Sequence, residues 1–242
     1  MNPQQQSSSR AATQVERSIM VALQAQLHAA PTDRFFAPPI LTMGGTGTGK
    51  SSCAKTIAKL LVKHFWNIAV PQSMEADFVG YGCPDPDTGV MRFLPMLEAK
   101  RSVEAGAGNS ILLLDELADA TRSVQSAAHG PLLDKTFGEL EIPGLGVIAC
   151  SNPPNISTTG QTISAPVSNR MVHIPFTVTA EERYVGMTTG WGKPDMLELP
   201  KRWKAGIQPI YNNVAQFTCR QKPELAQMSS EDIEALGEDA WK

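Results

Sequence analysis

The clearest chemistry in this chain lies in Met43-Gly44-Gly45-Thr46-Gly47-Thr48-Gly49-Lys50-Ser51-Ser52. From Gly44 it fits G-x-x-x-x-G-K-[ST], a loop that cradles phosphate groups. Glycines at Gly44, Gly45, Gly47 and Gly49 let successive N–H groups curl inward toward anionic oxygens without Cβ clashes. Thr46, Thr48 and Ser52 complete the cradle. Lys50 adds a mobile positive charge for the β- and γ-phosphates, and the Ser51 hydroxyl can ligate Mg²⁺. A helix beginning here would turn its positive end toward the same anion.

A second landmark is Ile111-Leu112-Leu113-Leu114-Asp115-Glu116. Four large apolar residues in a row describe a strand buried on both faces, as in a parallel sheet. Two carboxylates follow at its carboxyl end, where ligands bind in open α/β sheets. With a phosphate loop upstream, Asp115 suits Mg²⁺ and Glu116 suits activation of a water. The plainer role of the pair is to cap the next helix. A third apolar run, Gly146-Val147-Ile148-Ala149-Cys150-Ser151, ends in Asn152-Pro153. The Asn152 amide can bond a γ-phosphate and an attacking water, or form a turn, as Asn-Pro commonly does.

These tips need elements to hold them. Pro39-Ile40-Leu41-Thr42-Met43 reads as the strand before the loop. Cys53, Ile57, Leu60, Leu61 and Phe65 recur at helical spacing after it. Trp66 to Val70 is a second strand, and Gly80 to Gly89 is turn-rich, with Met91 to Leu94 as a hairpin arm. Pro95 suits the first turn of a helix running to about Ala105. Residues 120–135 look helical but are broken by Gly130-Pro131. Phe137 to Ile142 is a short strand or hairpin, and Met171 to Phe176 a last strand, with His173 packed at the sheet. Ahead of all this, Val15, Ile19, Leu23 and Leu27 form an i, i+4 stripe, an amphipathic helix from Ala11 to about Ala29. Residues 1–10, rich in Asn, Gln and Ser, read as a disordered tail. Beyond Thr177 the pattern weakens to a helical stripe at Ile207, Ile210, Tyr211, Val214 and Phe217, then an acidic end.

At 242 residues and 42% hydrophobic content the chain holds a sizeable core. Its net charge of −3 lacks the strongly basic footprint of a nucleic-acid binder. The four cysteines, Cys53, Cys83, Cys150 and Cys219, make no C-x-x-C pair, which argues against zinc and fits a reducing cytoplasm. No apolar run reaches the length of a membrane span.

The phosphate loop, Leu114-Asp115-Glu116, Ser151-Asn152-Pro153 and Asn169-Arg170, in that order, resemble the AAA+ ATPases. Asp77-Phe78-Val79-Gly80-Tyr81 matches an Asp-x-x-Gly-Tyr segment of the MoxR-like and dynein-related branch. The resemblance covers residues 37–178. It implies an α/β fold: a P-loop NTPase three-layer sandwich on a parallel five-stranded sheet of order 5-1-4-3-2. An N-terminal helix joins this core over residues 11–178, and residues 179–242 supply a partial or atypical helical lid.

The resemblance also implies roles. Lys50 and Ser51 would bind phosphate and Mg²⁺, Asp115 the metal, and Glu116 would be the base. Asn152 would be the first sensor and Arg170 an arginine finger placed on a neighbour's ATP. Segment Gly80–Pro95 would lie near an insert that engages substrate. The expected protein is an ATP-hydrolysing subunit of a homo-oligomeric ring, commonly a hexamer, remodelling a protein client. A partner with a von Willebrand factor A domain is implied too. This chain departs from the branch at Asn169 and Met171, where an Asp and a bulky aromatic usually flank the arginine. It also lacks a Pro-Arg second-sensor motif. A nucleic-acid translocase and a non-hydrolysing, nucleotide-gated scaffold are the alternatives from other classes.

Overall fold

In a computed structural model, the structure describes residues 13–29, 37–157, 162–182, 184, 194–197 and 199. The expected tail, the Ile207 stripe, the acidic end and most of the lid segment lie outside the described residues.

The chain begins with α1 (Gln14–His28), whose first turn is closed by a capping box. The Thr13 hydroxyl accepts from the Glu16 N–H at 3.2 Å, and the Glu16 carboxylate accepts from the Thr13 N–H at 2.8 Å. β1 (Ile40–Met43) leads into α2 (Lys50–Leu60), then β2 (His64–Ala69). A short α3 (Glu75–Val79) precedes the antiparallel hairpin β3 (Tyr81–Pro84) and β4 (Met91–Leu94), and α4 (Leu97–Glu104) follows. β5 (Ser110–Asp115), α5 (Arg122–Ala127) and a π-helical turn at Gly130–Asp134 come next. A small hairpin of β6 (Thr136–Phe137) and β7 (Leu140–Glu141) precedes β8 (Gly146–Ser151), α6 (Ala165–Ser168) and β9 (Val172–Pro175).

Five parallel strands form one sheet, in the order β2-β5-β8-β1-β9. Numbered among themselves in chain order, they read 5-1-4-3-2 from the β9 edge, the expected order. Alternation along β5 sorts its side chains into two cores. Ile111 and Leu113 join Ile148, Cys150, α1 and α2 on one face. Leu112 and Leu114 join Trp66, Phe78, Val124, Leu132 and Phe137 on the other. The result is three layers around a doubly buried sheet. Phe137 stands at the centre of the second core, 5.0 Å from the Trp66 ring and 6.3 Å from Phe78.

Several boundaries differ from the sequence reading. α2 stops at Leu60, and Phe65 belongs to β2 instead of the helical stripe. Val62, at φ 53°, turns the chain between them. Pro95 lies before α4, whose N-cap is Met96. His173 is exposed on edge strand β9 and does not pack at the sheet. Its Nε2 lies 2.9 Å from the Ser168 carbonyl at the end of α6.

Helix α1 does more than cover a core. Gln26 is 2% exposed, and its side chain pairs with the backbone of Val147. The Val147 N–H donates to Gln26 Oε1 at 2.8 Å, and Gln26 Nε2 donates to the Val147 carbonyl at 3.2 Å. β1 begins pairing with β8 only at Ile40 opposite Ile148, so the Val147 N–H has no strand acceptor ahead of it. The glutamine amide therefore extends the ladder by one residue. Replacing it leaves the buried Val147 N–H without its acceptor. Gln26→Leu is expected to lower stability by about 1–3 kcal/mol in urea unfolding at an unchanged m-value.

Cys150, 1% exposed, sits 3.0 Å from the Thr42 hydroxyl. Burial pushes its thiol pKa up to about 12. Cys83 on the β3–β4 hairpin is exposed. At pH 8 iodoacetamide should label Cys83 in the folded protein and reach Cys150 only after denaturation, as read by peptide mass spectrometry. The raised folded pKa favours the native state below about pH 9, and that contribution is lost as pH rises toward 12.

Candidate nucleotide site

The carboxyl ends of β1, β5 and β8 meet over one cavity of about 220 Å³. Its walls are Thr46 to Ser52 from the glycine loop, Asp115 and Glu116 from β5, and Cys150 to Asn152 from β8. Local sequence explains how the loop reaches it. The Gly44 N–H donates to the Ser151 carbonyl at 3.3 Å, continuing the β1–β8 ladder one step past the strand. A Cβ at Gly44 would lie 2.3 Å from the Phe176 carbonyl oxygen, so only glycine fits between β8 and the end of β9. Gly47 and Gly49 take φ of 72° and 93°, which turn the loop outward and back into α2. α2 starts at Lys50 with no side chain capping its first turn. Its free N–H groups point toward the cavity end of the helix.

The two chemical landmarks touch. Ser51 Oγ donates to Asp115 Oδ2 at 2.6 Å, although 64 positions separate them in sequence. Lys50 Nζ donates to the carbonyls of Gly44 at 2.6 Å and Gly45 at 2.9 Å, and to Asn152 Oδ1 at 3.0 Å. One ammonium thus links the loop to the tip of β8. Burial lowers the Lys50 pKa, with Cys150, Asp115 and Glu116 opposing that shift.

Glu116 is exposed and lines the cavity, with its backbone at φ 58° and ψ 39°. A left-handed conformation at a non-glycine residue costs on the order of 1–3 kcal/mol, and of the three such residues described, Val62, Glu116 and Lys135, only Glu116 lines the cavity. The turn persists because its backbone is tied down. The Asp119 N–H donates to the Glu116 carbonyl at 3.0 Å, and the Ala118 N–H donates to Ser151 Oγ at 3.0 Å.

The structure gathers Thr46 to Ser52 with Asp115, Glu116 and Asn152 around the cavity, while Gly44 and Gly45 do not line it and meet it only through their carbonyls on Lys50. It does not bring Arg170 to them. Arg170 is exposed in the turn between α6 and β9 and does not line this cavity. Sequence reasoning missed a second cavity of about 260 Å³ on the other side of the loop. Val15, Glu16, Cys53, Thr56, Phe176 and Val178 line it, along with Gly47 to Gly49. Its sequence signals were Val15, Cys53 and Phe176, each legible only as part of a separate apolar pattern.

The donor set suits a hard divalent cation. Ser51 and Asp115 offer adjacent oxygens, the ligand type Mg²⁺ takes alongside phosphate. Among the described residues no cluster of three or more His, Cys, Asp or Glu side chains forms, which leaves most of such an ion's shell to phosphate and water. No helix among the described residues is long and apolar enough to cross a membrane.

Residues 39–171 match the AAA domain of the dynein-related subfamily. Among solved structures, the chain is similar to a candidate ATPase from Cytophaga hutchinsonii at 20% identity and a TM-score of 0.44, covering 83% of this chain and 61% of that one. The Thermotoga maritima RuvB Holliday junction branch migration motor matches at 14% identity and a TM-score of 0.46, covering 72% and 50% respectively. The chain therefore spans between half and about three-fifths of the length of these structures. Among curated proteins no relative matches. The family match takes in more than half of the chain, including the loop, both carboxylates, Asn152 and Arg170, and the sheet has the order that family requires: the chain belongs to the AAA family, dynein-related subfamily.

Proposed function

We propose that this protein binds ATP with Mg²⁺ and hydrolyses it as one subunit of a ring, remodelling a partner protein. The observation that carries the reading is the 2.6 Å contact between Ser51 and Asp115, with Lys50 bridging to Asn152 in the same cavity. Three separate strands deliver a phosphate cradle, a cation ligand and a sensing amide to one point.

The triphosphate would lie along Gly44 to Ser52, with backbone N–H groups and Lys50 holding its oxygens. The adenosine end would extend into the cavity lined by Val15, Cys53 and Phe176. Ser51 and Asp115 would hold the cation, which neutralises charge on the phosphate oxygens when bound. Glu116 would take a proton from an attacking water, and Asn152 would orient that water. Lys50 must exchange its carbonyl partners for phosphate oxygens, a replacement of like for like that keeps the half-buried ammonium satisfied.

Among the described residues, Lys50 is the one cation lining the cavity around Ser51 and Asp115. Arg170, exposed on a different part of the surface, would supply a second one to the neighbouring subunit's ATP. Hydrolysis would then depend on assembly.

Glu116→Gln should retain ATP while turnover falls by about 10²–10⁴-fold, measured by filter binding and phosphate release. Turnover at the unmodified rate would remove Glu116 from the role of base. Arg170→Ala should lose about 10³-fold or more in turnover with ATP affinity kept. In the unmodified protein, turnover per subunit should rise with protein concentration as rings form.

A further inference from the structure

A buried glutamine joins the two halves of the proposed reaction. Gln125 on α5 is 0% exposed. Its Nε2 donates to the carbonyls of Ala118 at 3.3 Å and Ala120 at 3.1 Å, in the turn directly after Glu116. Its Oε1 accepts from the Ser164 N–H at 3.1 Å. Ser164 is the N-cap of α6, and α6 runs into Arg170 through bonds such as Arg170 N–H to the Val167 carbonyl at 3.2 Å. Val167, 0% exposed, fixes this helical turn to the core.

On its other side the same turn is bonded to β8. Ala118 donates to Ser151 Oγ, and Ser151, 1% exposed, directly precedes Asn152. A continuous chain of bonds thus runs Asn152–Ser151–Ala118–Gln125–Ser164–α6–Arg170. Gln125 makes three bonds to two backbone segments, and without it the buried carbonyls of Ala118 and Ala120 lose a donor and the half-buried Ser164 N–H its acceptor.

We propose that Gln125 and Ser151 are positioning residues that fix the Glu116 turn against both the Asn152 strand tip and the Arg170 segment. They couple the nucleotide site of one subunit to the arginine it offers its neighbour. The proposal rests on the ATPase reading above for its consequence in turnover. The linkage itself concerns only this chain's hydrogen bonds.

The physical reason is the strain at Glu116. A glutamate held at φ 58° returns to ordinary backbone angles if its turn is released, and its carboxylate then leaves the cavity wall. Ser151 holds the turn through one N–H and Gln125 through two carbonyls, so loss of either loosens the grip of the other. The carbonyl and N–H of Ala118 belong to the same residue, so the two restraints share one rigid segment.

The test uses Ser151→Ala, Gln125→Leu and the double variant in the full chain. Amide hydrogen exchange, read by NMR without nucleotide, addresses the linkage. Protection of the β5 amides serves as the control for an intact fold. Ser151→Ala should speed exchange at the Ser164 amide, and Gln125→Leu at the Ala118 amide, each about tenfold or more although neither substitution removes that amide's own acceptor. If each variant speeds only the amide it directly bonds, the coupling is overturned.

Steady-state turnover then addresses the consequence. Both variants should lower kcat by about 10–100-fold with KM for ATP within about twofold. Their effects should be less than multiplicative in the double variant, since the first already frees the turn. Unchanged kcat alongside altered exchange would overturn the positioning role. If the unmodified protein shows no turnover, the ATPase reading fails, while the exchange result still decides the linkage. Should Gln125→Leu expose β5, Ser151→Ala alone carries both arms, because it deletes a single oxygen.

Discussion

The structure turns on where a parallel sheet ends. All five strands point their carboxyl ends to one side, and the side chains that follow β1, β5 and β8 cannot avoid one another. Ser51 reaches Asp115, and Lys50 reaches Asn152, because the strand register puts Met43 beside Ser151 and Leu114 beside Ala149. The apolar runs of β5 and β8 therefore do two jobs. Buried on both faces, they exclude water from the sheet, and they set the height at which each polar tip emerges. Every polar contact in the cavity inherits its precision from that packing.

Around this edge the protein spends buried polar groups sparingly and satisfies them. Gln26, Gln125 and Ser151 each stand where a backbone group would otherwise lack a partner. Thr42 has its own hydroxyl satisfied in the same way, donating to the Ala149 carbonyl at 3.2 Å. Outside the sheet, Glu139 serves the β3–β4 hairpin, accepting from the Phe93 N–H at 2.9 Å and from Arg92. Gly80 and Gly138 let the two hairpin backbones approach, where a Cβ on Gly138 would sit 2.7 Å from the Phe93 carbonyl. The hairpins are thus fixed to each other by groups that carry no bulk.

Much of this was legible in the sequence, for a physical reason. Lys50 and Ser51 sit in a contiguous motif, and Asp115 and Asn152 terminate runs too apolar to be anything but buried strands. Those signals are local, so a linear reading finds them. The bridging glutamines left no such trace. Gln26 and Gln125 sit in helices where glutamine usually faces water, and their burial depends on what packs opposite. Ser151 read as part of a strand and of an Asn-Pro tip, without its bond to Ala118. Phe65 followed the helical spacing of α2 only because the turn at Val62 happens to keep the phase. The second cavity was hidden because α1, α2 and the end of β9 build it jointly. The exposure of His173 follows from β9 being an edge strand, which depends on strand order.

A side chain standing in for a strand has one implication for how the chain can be shortened. A version beginning at the phosphate-loop strand would keep every recognisable motif, yet it would leave the start of β8 with an open seam in mid-sheet. It would also bare the apolar face that Ile19, Met20, Leu23 and Leu27 now cover, a surface that invites association. The helix ahead of the motifs therefore guards solubility, and a trimmed domain chosen by motif boundaries alone would be prone to self-association.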